Sequence, residues 1–211
     1  MSTPRRFAFD HSVVASPRCA PAIAPATISQ NSRVDRPARP DFVLFDLDPS
    51  EDVGFKETVE VALLVKAMLD AIGLRSFPKT SGADGMHVLV PIERRSTYED
   101  TRGFAEIVAR ALVSTHRGLV TTEWARAKRR GVLIDANQNG EGKTIASVYS
   151  VRPKEGAPVS TPLRWDEVTP SLDPSAFTMD VVLGRIERHG DLFAGVLTGR
   201  QSLATALRAV S

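Results

Sequence analysis

The sequence predicts an α+β domain, a mixed sheet with flanking helices. Two segments, 56–72 and 98–115, carry apolar residues at helical spacing. Short runs of strand formers lie around them, at 42–45, 75–79, 86–90, 119–122, 132–136 and 143–151. The helical segments fall irregularly among these runs, which points to strands of both senses.

Composition bounds the rest. A chain of 211 residues is long enough to bury a core, and 42% apolar with 25% charged residues is ordinary for one globular domain. Cys19 is the sole cysteine, which excludes an internal disulfide and a cysteine-rich zinc site and makes a reducing cytoplasm the default. No run approaches the roughly 20 apolar residues of a membrane span. Arg5 and Arg6 are not followed by the apolar stretch of a signal peptide. Residues 1–40 hold six Arg against two Asp, while the remainder holds 21 basic and 23 acidic groups. A polyanion would therefore have to be met by a local patch.

The first 31 residues, rich in Pro, Ser and Ala without periodicity, are expected to form a flexible or irregular arm. Phe42–Phe45 reads as a strand closed by Asp46-Leu47-Asp48-Pro49. In the helix over 56–72 the buried stripe is Val61, Leu64, Val65, Met68, Leu69 and Ile72, and Gly73 stops it. The strands at 75–79 and 86–90 are joined by the turn TSGADG. Thr97 is placed to cap the helix 98–115, with Asp100 completing a capping box. Strands at 119–122 and 132–136 flank the basic segment RAKRRG, and 143–151 reads as one more strand. Asp166 and Glu167 suit the first turn of a short helix. Thr178 is placed to cap a helix to about Arg188, and 199–211 is expected to hold a last helix.

Alternate residues of a strand share a face, so Asp46 and Asp48 project together while Leu47 points inward. Two carboxylates that close repel unless a cation or a shared proton lies between them. An oxygen-only set suits Mg²⁺ or Mn²⁺; a plain strand-to-turn boundary uses the same residues. Asp135 closes another apolar strand, as a third ligand or as a polar strand terminus. Three such carboxylates can hold two metals about 4 Å apart, the arrangement for in-line displacement at phosphorus.

In Thr80–His87 two glycines let backbone N–H groups approach an anion, Ser81 offers a hydroxyl, and His87 can donate to a phosphate oxygen. A bare hairpin turn uses the same residues. Arg126, Lys128, Arg129 and Arg130 form either a solvated face or a grip on a phosphate backbone. Trp124 beside them is a packed residue or a stacking surface for a base. Arg152 is a further phosphate ligand candidate.

Five stretches carry a resemblance: SRVDRPARPDFVLFDLDPS, FPKTSGADGMHVLVP, GVLIDANQNGEGKTIASVYSVRP, GAPVSTPLRWDEV and FTMDVVLGRIERHGDLF. In this order, from about Ser32 to Leu197, the chain resembles the polymerase/primase domain of bacterial ligase D, in the archaeo-eukaryotic primase superfamily. The resemblance implies a primase-polymerase (RRM-like) core over 32–198. It implies Mn²⁺ or Mg²⁺ held by the catalytic aspartates Asp46, Asp48 and Asp135. Nucleotide contacts are implied for Ser81, Gly82, His87 and Arg152, and DNA contacts fall to Arg126, Lys128, Arg129 and Arg130. The implied reaction adds (ribo)nucleotides to DNA 3′ ends in end joining. The implied partners are DNA ends, nucleoside triphosphates, a separate ATP-dependent DNA ligase and a DNA-end-binding protein, with no membrane.

Two departures from the family pattern stand out. The stretch before the Ser-Arg pair, TISQNSR, lacks the family's nucleotide-contacting histidine, as in an N-terminally shortened member. Asp84 stands where many members have a lysine. Two other readings remain: a DNA-binding remnant without activity, and a Mg²⁺-dependent Asp-x-Asp phosphatase, although Pro49 follows the pair where that class carries Thr or Val.

Overall fold

The computed structural model describes residues 24–25 and 27–208. In chain order these form β1 (Ala24–Pro25), β2 (Ile28–Ser29), β3 (Phe42–Pro49), α1 (Phe55–Ala71), β4 (Phe77–Thr80), β5 (Met86–Pro91) and α2 (Tyr98–Thr115). There follow β6 (Val120–Thr121), β7 (Val132–Asp135), β8 (Ile145–Ala146), β9 (Ser150–Val151), α3 (Met179–His189), α4 (Ala194–Thr198) and α5 (Leu203–Arg208). Five strands make one sheet in the order β4-β5-β3-β7-β6. The pairs β4–β5, β5–β3 and β3–β7 are antiparallel and β6–β7 is parallel, so the sheet is mixed.

Period-two alternation explains how the central strand serves two purposes. Val43, Phe45 and Leu47 of β3 are fully buried on one face, which α1 (Val61, Val65, Leu69) and α2 (Phe104, Val108, Leu112) cover. The Phe45 and Phe104 rings meet edge to face at 6.3 Å and 71°. On the opposite face, Phe42 and Leu44 join Leu89, Ile145, Phe193 and Val196 in a second, smaller apolar cluster. Asp46 and Asp48 follow on that same face. The strand thus continues through the acidic pair to Pro49 rather than ending before it.

The start of α2 and the end of α1 follow the sequence signals, and the start of α3 does so only in position. Thr97 Oγ1 accepts the Asp100 N–H at 3.1 Å and the Asp100 carboxylate accepts the Thr97 N–H at 2.7 Å, a closed capping box. Gly73 takes a left-handed φ of 73° just beyond α1, and Leu74 N–H bonds back to Leu69 O at 2.9 Å. Thr178 precedes α3 without a side-chain capping bond. The turn at Trp165–Glu167 is 3₁₀. Among the described residues no helix is long and apolar enough to cross a membrane.

Three expectations need correction. The strand over 143–151 is broken into β8 and β9, because Tyr149 takes a φ of 60° between them. The arm does not extend to residue 31. β1 runs parallel to β9, β2 pairs antiparallel with β8, and Asp41 N–H bonds Asn31 O at 2.8 Å. Strands of two residues show no periodicity for a sequence pattern to reveal. Residues 1–23 lie outside the described residues. Finally, α4 was not foreseen, and the last helix covers Leu203–Arg208, with residues 209–211 outside the description.

Candidate active site

The sheet register assembles the site. β3 lies between β5 and β7, with His87 opposite Asp46 on one side and Asp135 opposite it on the other. β4 extends the row by placing Lys79 opposite His87. Directly opposed residues share a face, so Lys79, His87, Asp46 and Asp135 form one line across four strands. Asp48, two residues beyond Asp46, joins them. Asp46, Asp48 and Asp135 line one cleft with Trp124, Arg126 and Arg129.

Each carboxylate already has a protein partner. Asp46 Oδ1 lies 3.3 Å from His87 Nε2. Asp48 Oδ2 accepts from Arg129 Nη1 at 2.7 Å. Asp135 Oδ1 accepts the Asn137 N–H at 2.9 Å. Burial pushes the Asp135 carboxyl up from its ordinary range and the Asp46 charge opposite adds to this, while the Asn137 N–H works against both. Burial, and after it the neighbouring Lys79 ammonium, holds His87 below the usual imidazole value despite the Asp46 contact.

The glycine loop closes the other wall. Asp46, Asp48, Ser81, Asp84, His87 and Arg152 line a contiguous opening. Ser81 Oγ accepts the N–H groups of Ala83 and Gly85 at 3.1 and 3.2 Å, leaving its hydroxyl hydrogen to offer a ligand. Gly82 has a φ of 72°, and a Cβ there would sit 2.5 Å from Arg152 Cγ and 2.8 Å from Ser160 N. Only glycine permits this approach. Arg152 Nε and His87 Nδ1 are buried without a hydrogen-bond partner. Asp84 is ion-paired to Lys154, so its charge is locally neutralised.

The basic segment divides. Arg126, Lys128 and Arg130 are exposed, and Arg126 lines the cleft. Arg129, grouped with them as a DNA contact, is 6% exposed and turned inward. It donates to Asp48, to Glu123 O at 3.3 Å and to Trp124 O at 3.2 Å. Its guanidinium is committed to the protein because its five fixed N–H donors match a carboxylate and two carbonyls at once. Trp124 is 59% exposed rather than packed.

Sequence reasoning passed over two residues. Lys79 is 1% exposed, and its ammonium donates to Ala146 O at 3.1 Å and to Ser160 Oγ. Its period-two spacing from Phe77 on a strand was the available signal. The Asn139 carboxamide bonds both backbone groups of Leu44, at 2.8 and 2.7 Å, continuing the ladder past the end of β7. That locks the turn after Asp135.

Three carboxylates facing one open cleft are a donor set that fits Mg²⁺ or Mn²⁺. Among the described residues, no three His, Cys, Asp or Glu side chains stand gathered as a metal-binding group. Arg129 and a bound cation would therefore compete for the Asp48 carboxylate.

The family model "LigD, primase-polymerase domain" matches residues 25–193. The bifunctional non-homologous end joining protein LigD of Bacillus subtilis is 39% identical over 154 residues, 72% of this chain and 25% of that one. The multifunctional LigD of Pseudomonas aeruginosa is 32% identical over 173 residues, 81% of this chain and 21% of that one. The polymerase domain from Mycobacterium tuberculosis ligase D, solved in complex with DNA, superposes with a TM-score of 0.70 at 35% identity, covering 75% of this chain and 55% of that one. The chain thus spans a quarter or less of the length of these full-length relatives.

Proposed function

Because this chain belongs to the LigD primase-polymerase domain family, we propose that it is a metal-dependent nucleotidyltransferase adding (ribo)nucleotides to DNA 3′ ends in non-homologous end joining. Family membership sets aside the Asp-x-Asp phosphatase reading. The observation that carries the proposal is the row His87–Asp46–Asp135, with Asp48 beside it, between a glycine loop and a basic lip.

In this reading Asp46, Asp48 and Asp135 hold Mn²⁺ or Mg²⁺, which would lower the pKa of the attacking 3′-hydroxyl and neutralise the triphosphate. Ser81 donates its hydroxyl hydrogen to a phosphate oxygen. Gly82 lets the loop backbone close on Arg152, whose partnerless Nε faces the same task. Burial keeps the His87 pKa below the usual imidazole value, and a neutral imidazole still carries one N–H to donate to a phosphate oxygen. Arg126, Lys128 and Arg130 meet the DNA backbone. A DNA end, a nucleoside triphosphate, a separate ATP-dependent ligase and an end-binding protein are the proposed partners. The solved relative in complex with DNA supports the first of these.

The test is incorporation of labelled nucleotide at the 3′ end of an overhanging duplex in Mn²⁺. DNA binding without incorporation would favour a non-catalytic remnant.

A further inference from the structure

Trp124 is one of two tryptophans in the chain and is 59% exposed at the lip of the carboxylate cleft. The other, Trp165, is partly buried and donates its indole N–H to Ser76 O at 2.8 Å. The exposure of Trp124 does not come from a loose loop. Arg129 grips the carbonyls of Glu123 and Trp124 with the same guanidinium that holds Asp48. Glu123 N–H bonds Thr121 Oγ1 at 3.0 Å, Ala125 N–H bonds the Glu123 carboxylate at 2.9 Å, and Lys128 N–H bonds Ala125 O at 2.9 Å. The backbone is fixed relative to the acidic pair, yet the large apolar ring is presented to solvent.

Trp124 lines two openings. One is the carboxylate cleft; the other runs toward α2, past Arg110 and Asn137. Exposed cations follow Trp124 in the chain, Arg126, Lys128 and Arg130 within six residues, and Arg126 lines the carboxylate cleft with it. The acidic Glu106 across the second opening is flanked by Arg102 and Arg110, each 3.7 Å away. A rigid aromatic face beside cations that can follow a phosphate backbone is the pattern of a single-strand stacking platform. Resting on the DNA-directed reading above, we propose that Trp124 stacks an unpaired base of the single-stranded overhang of a DNA end. The ring then carries sequence-tolerant affinity for overhangs, and the neighbouring cations carry the salt-dependent part.

Stacking supplies no charge, which separates its signature from that of the cations. Binding of a duplex with a 5′ overhang and of the matching blunt duplex is measured for wild type, Trp124→Ala and Trp124→Phe across a salt series. The expected result is a roughly 5- to 150-fold loss of overhang affinity in Trp124→Ala. Blunt-duplex affinity and the slope against log salt should be unchanged, and Trp124→Phe should recover much of the loss. Overhang DNA should also quench wild-type tryptophan fluorescence, and Trp124→Ala should remove that quench. An equal loss on both substrates, a changed salt slope, or quenching by nucleoside triphosphate alone would overturn the stacking assignment while leaving the proposed function standing. Failure of wild type to bind either DNA would overturn both.

Discussion

Lys79 offers a quantitative test of the row that organises the site. It lies opposite His87, 1% exposed, with its ammonium bonded to Ala146 O at 3.1 Å and to Ser160 Oγ. Burial lowers its pKa from 10.5 to about 7, with Asp46 opposing the shift and Arg152 adding to it. A lowered lysine pKa means that the fold disfavours the charged form. Between about pH 7 and 10.5 the unfolded chain therefore holds more protons than the folded one, and stability rises with pH across that window. At about 1.4 kcal/mol per pH unit, the Lys79 contribution should grow by about 2–3 kcal/mol from pH 7 to 9. Lys79→Met keeps the stem and removes the titration, so the pH-dependent part of stability at this position is lost and the difference from wild type should change by that same amount between pH 7 and 9. Urea unfolding of both proteins at pH 7 and 9, with EDTA present, isolates the difference because their other titrating groups cancel. Equal pH dependence in wild type and Lys79→Met would refute the claim that a desolvated ammonium sits in this row.

Three further outcomes follow from the same geometry. Gly82→Ala should lower nucleotide affinity by about tenfold or more in a titration of nucleoside triphosphate, because its Cβ collides with Arg152 and Ser160; unchanged affinity would detach Arg152 from the phosphate site. Asp135→Asn keeps the acceptor for the Asn137 N–H and removes a buried charge facing Asp46. It should raise the Tm at pH 7 in EDTA and diminish the rise in Tm that Mn²⁺ gives the wild type, both read by thermal melting. Replacing Arg126, Lys128 and Arg130 with alanine should flatten the plot of log affinity for DNA against log salt by up to about 0.9 per lost phosphate contact. Arg129 is left out because its guanidinium faces Asp48 rather than solvent.

What the sequence revealed depended on how local the cause was. Asp46 and Asp48 were legible because strand alternation alone sets their common face, and the Thr97–Asp100 box because both partners lie within four residues. The pairing of Asp135 with Asp46 was not legible by pattern, since register across 89 positions is decided by how β3 and β7 bury Leu47 and Ile134. Residue type misled at Arg129. A run of four cations looks solvated, and only the folded loop shows that one of them turns back to Asp48. Lys79 was passed over for the same reason, since a lysine on a short strand is ordinarily exposed. Asn139 acts through a carboxamide that imitates a strand, a role that only the ladder it completes makes visible.

The central claim is that Asp46, Asp48 and Asp135 act through a divalent cation in nucleotide addition, separately from the groups that hold DNA. The most direct measurement is extension of an overhanging primed duplex at several Mn²⁺ concentrations by wild type and Asp48→Ala, with DNA affinity measured on the same preparations. Mn²⁺-dependent extension by wild type, abolished in Asp48→Ala with DNA affinity nearly intact, is the predicted result. Equal extension by the two proteins would contradict the metal assignment.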